Sequence, residues 1–216
     1  MPQSLSRSTL LDTFTAGAES RGWQAAERAG AVAFVTVLTA IAAQISIPLP
    51  FTPVPFTLQP MIVLVGGLAL GARLGMSSQI LYLALGMAGL PVFAASPVLP
   101  SGVARLLGPT GGYLMSYPFA AFVAGYLAER GFDRRYATSV VAMAAGLAVV
   151  FLFGVSWLGF VVQPSRGVAG ALAAGFYPFV LPDFLKLLLA AGVMPGLWRL
   201  TGKRASLRPF PNTSKN

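Results

Sequence analysis

The sequence predicts an all-α integral membrane protein: a six-transmembrane-helix bundle with both termini in the cytoplasm. Three observations carry this reading. Charged residues make up 10% of the 216 positions and hydrophobic ones 56%, against about 25% charged in a soluble domain, and mean hydropathy is +0.73. Five long apolar runs, with a sixth broken by proline, have the length a bilayer demands. Lysine and arginine crowd into every second connection, as the positive-inside rule requires of a multi-pass chain.

Residues 1–28 mix Arg7, Arg21 and Arg28 with Asp12, Glu19 and Glu27. They lack the apolar core of a cleavable signal and are expected to form a cytoplasmic tail. Leu10, Leu11 and Phe14 offer one side of an interfacial helix, with Trp23 suited to the headgroup belt; a tail without fixed structure is equally compatible. A single membrane domain is expected over 29–200. Its spans fall near 29–47, 57–72, 74–91, 109–128 and 136–161, with the last from about 182 to 200 after a short apolar segment at 169–180. The second and third spans are separated only by residues 71–75 (GARLG), which read as a tight turn. Residues 201–216 form a basic cytoplasmic tail.

The charges set the orientation. Arg7, Arg21, Arg28, Arg73, Arg130, Arg134, Arg135, Arg199, Lys203, Arg204, Arg208 and Lys215 all fall on one side of this scheme, against only Arg105 and Arg166 on the other. That asymmetry places both termini inside. The net charge of +9 is thereby a topology signal, and nucleic acid is not an expected partner; the lipid bilayer is.

Cysteine and histidine are both absent. Ser-His and Cys-His dyads, histidine-based zinc sites and disulfides are excluded with them. Of six acidic residues only Asp183 is expected at membrane depth, so paired carboxylates for acid/base chemistry lack a second member. The chain is not expected to be an enzyme, and nothing in it calls for a cofactor or metal.

Asp183 and Lys186 are the two charges well inside a membrane-length apolar stretch. Each costs roughly 2.5 to 3.5 kcal/mol at a helix centre on insertion scales, so they ask for a partner, a water cavity or a ligand. With Pro182 in the first turn of the last helix, Asp183 is expected at the helix N-terminus, where free amides and the helix dipole favour a carboxylate. Lys186 then lies one turn deeper, and at i, i+3 spacing the two can also pair with one another.

Residues 48–56 (PLPFTPVPF) carry four prolines and no charge. Proline fixes φ, so this connector is stiff and can serve either as a hydrophobic lid or as a rigid turn. Gln59 follows it, with a side-chain amide in need of a partner. Residues 108–113 (GPTGGY) open the fourth span: Pro109 suits helix entry, while Gly111 and Gly112 admit a ligand or a neighbouring helix. Tyr113 adds a flat face and a hydroxyl. Ala25, Ala29 and Ala33 recur every four residues, a smooth face on which another helix can pack.

These segments carry a family resemblance. Residues 45–48 (ISIP) with 53–59 (PVPFTLQ), then 89–93 (GLPVF), 107–114 (LGPTGGYL) and 178–186 (PFVLPDFLK) resemble, in order, the signature segments of the BioY family. Its members are the biotin-binding S components of energy-coupling factor (ECF) transporters, and the resemblance runs from about residue 30 to 200. It implies a six-helix S component that captures biotin from outside in a cavity capped by the first loop. The implied partners are a transmembrane coupling protein, docked on the small-residue face of the first helix, and two ABC ATPase subunits that hydrolyse ATP. The implied substrate-binding residues are Asp183, Lys186, Tyr113, Gln59, Thr110, Gly111, Gly112 and Arg105.

Biotin joins a ureido ring, an apolar body and a carboxylate, so its pocket needs hydrogen-bonding groups, apolar walls and a cation. Lys186 could neutralise the carboxylate while Asp183 accepts ureido N–H groups or orients the lysine; the residues alone leave the two ends open. Two departures from the family pattern stand out. Residues 94–105 (AASPVLPSGVAR) replace a glycine-rich stretch, and Pro182 abuts Asp183 without the usual small residue between. The rival function is a solitary secondary transporter using Asp183 as proton carrier, for which the sequence offers no inverted repeat.

Overall fold

The computed structural model describes residues 9–11, 20–95, 102–162 and 164–206. Helix α1 spans Arg21–Gln44. A two-residue antiparallel ladder, β1 (Ser46–Ile47) with β2 (Phe56–Thr57), pairs Ser46 with Thr57 and Ile47 with Phe56. Then come α2 (Gln59–Leu70), α3 (Ala72–Met87) and the single turn α4 (Ala104–Leu107). Helix α5 is Gly111–Ala128, and α6 is Tyr136–Trp157, continued by a π-helical turn over Leu158–Val162. A 3₁₀ turn at Pro164–Arg166 leads to α7 (Gly167–Gly175), α8 (Tyr177–Ala190) and α9 (Val193–Ser206).

Among the described residues, three stretches are long and apolar enough to cross a membrane: Arg21–Gln44, Tyr136–Val162 and Gly167–Leu200. Helix α1 starts eight residues before the expected boundary at 29, because a side-chain cap rather than hydrophobicity sets its end. Ser20 Oγ accepts from the Trp23 amide at 3.3 Å, satisfying one of the free N-terminal donors. The alanines at 25, 29 and 33 are all exposed. Of the interfacial-helix expectation, Phe14 lies outside the described residues, as do 1–8, 12–19 and the end of the basic tail from 207.

The expected turn at 71–75 contracts to one residue. Gly71 joins α2 to α3 at φ 83°, a left-handed conformation that glycine adopts at no steric cost. This corner rests on α5: a Cβ on Gly67 would come 2.5 Å from the Ala121 carbonyl oxygen, and one on Gly125 would come 2.3 Å from the Gly71 carbonyl carbon. Glu129, just past α5, closes the corner by accepting from the Ala72 amide at 2.8 Å, a carboxylate at the positive end of α3. Small residues thus bring α2, α3 and α6 onto a largely buried central α5, the close backbone approach expected of membrane bundles.

The last span differs most from expectation. Helix α8 begins at Tyr177 with Pro178 in its first turn, and Pro182 lies inside the helix. Two prolines competed for the role of helix start, and the earlier one holds it. Asp183 therefore sits in the second turn, away from the free amides at the N-terminus, and must find its stabilisation elsewhere. The span is also broken at Ala191 and Gly192, after which α9 continues. Helix α9 is tied back by Trp198, whose Nε1 donates to Asp133 Oδ2 at 2.5 Å in the connection between α5 and α6.

Candidate functional site

The proline-rich connector closes over a cavity. Residues 48–55 are clamped at their base by the β1–β2 ladder, and Pro48, Leu49, Thr52, Pro53, Val54 and Pro55 all face a partly open cavity of about 390 Å³, within the range of small-molecule sites. Thr52 holds the connector down: its hydroxyl donates to the Ala174 carbonyl in α7 at 2.5 Å and accepts from the Val54 amide at 3.1 Å. With φ locked at the prolines and the hydroxyl bonded across to α7, the cover needs little further ordering to hold a ligand beneath it.

The walls come from five helices. Gln59 and Pro60 enter from α2, Arg105 from α4, Tyr113, Leu114 and Tyr117 from α5, Val150 and Phe151 from α6, and Phe179 and Asp183 from α8; Phe93, Ala94, Ala95, Pro109 and Thr110 complete the rim. Tyr113 is buried because glycines make room for it. A Cβ on Gly154 would meet its ring at 2.2 Å, and one on Gly175 its hydroxyl at 2.3 Å. That hydroxyl donates to the Gly175 carbonyl at 2.8 Å, leaving the ring to form wall.

Asp183 and Lys186 form an ion pair, Nζ to Oδ1 at 2.6 Å, with side chains 8% and 14% exposed. Their roles divide. Asp183 lines the cavity, whereas Lys186 stands behind it. The ammonium also donates to the Thr57 carbonyl at 2.7 Å and lies 3.8 Å from the centre of the Phe56 ring. Lys186 thereby fastens α8 to β2, the strand that closes the cover, through a charge pair, a hydrogen bond and a cation–π contact. A buried pair needs such extra bonds to offset desolvation, and here the lysine supplies them.

Arg105 is different. It is 8% exposed and lines the cavity, its Nε finds no hydrogen-bond partner, and among the described residues no carboxylate pairs with it. A buried cation without a counter-charge favours an anion beside it.

Of the residues singled out from the sequence, Gln59, Arg105, Thr110, Tyr113 and Asp183 meet at the cavity. Gly111 and Gly112 do not line it. They let α5 begin against α4 and α6: an added Cβ would lie 1.8 Å from the Leu106 carbonyl oxygen at Gly111, and 2.2 Å from Trp157 Cβ at Gly112. Sequence reasoning did not single out Thr52, Phe56, Tyr82 or Phe93. A hydroxyl inside a run of prolines was the one available signal for Thr52; Phe56 and Phe93 fall inside the family segments 53–59 and 89–93, whereas Tyr82 sits in apolar surroundings that give none. Part of the atypical 94–105 stretch, 96–101, lies outside the described residues.

Comparison with known proteins gives a consistent result. The BioY family profile matches residues 15–203. The probable biotin transporter BioY of Pyrococcus horikoshii is 41% identical over 165 residues, which is 76% of this chain and 92% of the relative. The biotin transporter BioY of Thermotoga maritima is 40% identical over 169 residues, 78% of this chain and 94% of the relative. Among solved structures, the crystal structure of the S-component for biotin from an ECF-type ABC transporter matches with a TM-score of 0.72 at 28% identity, covering 84% of this chain and 95% of that one.

Proposed function

The chain belongs to the BioY family, and from that premise we propose that it captures biotin for uptake across the cell membrane, as the substrate-binding subunit of an ECF-type transporter. The observation that carries this is the covered apolar cavity with one charge-compensated carboxylate and one uncompensated guanidinium on its walls. Biotin has the matching inventory. Its bicyclic body suits walls of Phe93, Val150, Phe151 and Phe179, its two ureido N–H groups suit acceptors, and its carboxylate needs a cation.

The distribution of charge supports one orientation of the two ends that the sequence left open. Lys186 is already neutralised by Asp183 and held by Thr57, so it is a poor counter-ion for a second carboxylate. Arg105, which no carboxylate pairs with among the described residues, takes the biotin carboxylate; Asp183, an acceptor-only group, takes ureido N–H. Gln59, Tyr113 and Thr110 complete the contacts, and Gly111 and Gly112 act one step removed by setting the α5–α6 contact that positions Tyr113.

In the bilayer, α1, α2, α3, α5, α6 and the α8–α9 pair serve as the six spans. Helices α2 and α3, of 12 and 16 residues, reach about 18 and 24 Å at 1.5 Å per residue, short of a hydrocarbon core of about 30 Å, so local thinning of the bilayer must make up the difference. The proline cover then faces outward, and the arginine-rich connections and both termini face the cytoplasm. The exposed alanine face of α1 is free to dock on a transmembrane coupling protein, and two ABC ATPase subunits supply the energy.

Replacing Arg105 by Met tests the assignment. Truncating a buried charge partner costs 2–5 kcal/mol, so biotin affinity should fall by about 30-fold or more. Affinity for biotin amide, whose carboxylate is a neutral amide, should change little. Equal losses for both ligands, or none for biotin, would refute the placement of the carboxylate.

A further inference from the structure

Tyr82 is fully buried in α3, does not line the cavity, and has no place in the binding scheme above. Its hydroxyl makes two hydrogen bonds. It lies 2.6 Å from Gln59 Nε2 and 3.1 Å from the Val92 carbonyl oxygen. We propose that Tyr82 is a positioning residue that fixes the direction of the Gln59 amide, and thereby makes the α2 wall of the cavity an acceptor that selects ligands carrying an N–H group.

Proton count fixes the direction of both bonds. A phenol has one proton, and a carbonyl oxygen can only accept. The proton of Tyr82 therefore goes to Val92, and toward Gln59 the hydroxyl can only accept. Gln59 must meet it with its NH₂ end, which turns Oε1 the other way. Gln59 is on the cavity wall, and its Oε1 accepts no hydrogen bond among the described residues while not being a sealed, unsatisfied atom. The oxygen is thus a free acceptor presented to a ligand.

The Val92 carbonyl at the head of this relay is itself fixed. Gln44 Nε2 donates to the carbonyls on either side of it, Pro91 at 3.2 Å and Phe93 at 3.4 Å, and Phe93 packs edge-on against the Tyr82 ring with centroids 5.4 Å apart. These contacts favour the orientation in which the Val92 carbonyl faces the tyrosine hydroxyl. Orientation passes from this segment through Tyr82 to the amide.

A second acceptor-only group, the Asp183 carboxylate, enters the same cavity from α8. Resting on the biotin reading, the inference deepens it: a cyclic urea has two N–H donors, and the wall presents one acceptor from Gln59 and one from Asp183. A ligand placing a carbonyl or ether oxygen against Gln59 would meet like with like, and a buried acceptor left unpaired is costly.

The test uses the purified full-length protein, biotin, and the two cyclic carbamate analogues in which one or the other ureido N–H is replaced by ring oxygen. The unsubstituted protein should bind one of these analogues about 100-fold more weakly than biotin through loss of the Gln59 contact. In Tyr82→Phe the amide is no longer held, and that ratio should shrink to within about fivefold. Gln59→Leu should compress the same ratio and carries the test if the tyrosine variant does not fold. A ratio that survives both substitutions overturns the proposal, because general destabilisation weakens both ligands alike. A ligand-free readout separates this failure from failure of the biotin reading: the Gln59 side-chain ¹⁵NH₂ resonance should shift in Tyr82→Phe. An unmoved resonance overturns the relay, whereas absent biotin binding with a shifted resonance overturns only the ligand.

Discussion

Lys186→Met is expected to cost about 3–5 kcal/mol of stability, the penalty for leaving one member of a buried pair uncompensated, and to abolish measurable biotin binding with it. Three attachments go at once: the 2.6 Å pair with Asp183, the 2.7 Å bond to the Thr57 carbonyl and the contact with Phe56. The carboxylate left behind is 8% exposed and the cover loses its tie to α8. Thermal unfolding in detergent reads the first loss and ligand titration the second. The double variant Asp183→Asn/Lys186→Met should recover most of the stability, since no unpaired charge remains, yet bind no better than the single one. A single variant that keeps both stability and affinity would show that the lysine does not hold the cover.

Asp183→Asn should separate the two losses in the opposite sense. Asparagine has the same shape and keeps one oxygen near Lys186, and the lysine retains Thr57 and Phe56, so stability should fall far less than in Lys186→Met. The ligand loses more. A hydrogen bond to a charged acceptor contributes roughly 1.5–3 kcal/mol, and the amide can present N–H where the ureido group needs an acceptor, so biotin affinity should drop by at least 10- to 100-fold. Near-native affinity with an intact fold would remove Asp183 from the ureido site.

The helices were legible because apolar runs long enough for a bilayer leave little freedom: the expected spans at 109–128 and 136–161 became Gly111–Ala128 and Tyr136–Val162. Their ends were less legible, since caps and prolines rather than hydrophobicity set them, as Ser20 and Pro178 show. Pro182 misled because a proline within an apolar run reads equally as a helix start or as an interior residue whose lost bond is tolerated.

The site was visible to the extent that its chemistry is expensive. Asp183 and Lys186 stand out because charge in an apolar stretch demands an explanation. Their division of labour did not, because which of two groups one turn apart faces a cavity depends on the packing of α8 against β2. Gly111 and Gly112 were ambiguous for a related reason: glycine admits a helix and a ligand equally, and here Trp157 fills the space. Tyr82 left no trace in the sequence, since its role depends on a carbonyl ten residues away.

The central claim is that the covered cavity holds biotin. Calorimetric titration of biotin into the purified chain, without any partner subunit, tests it most directly. Saturable binding is expected at one biotin per chain, weakened when Asp183 or Arg105 is replaced. Heat that fails to saturate, or saturable binding indifferent to both substitutions, would contradict it.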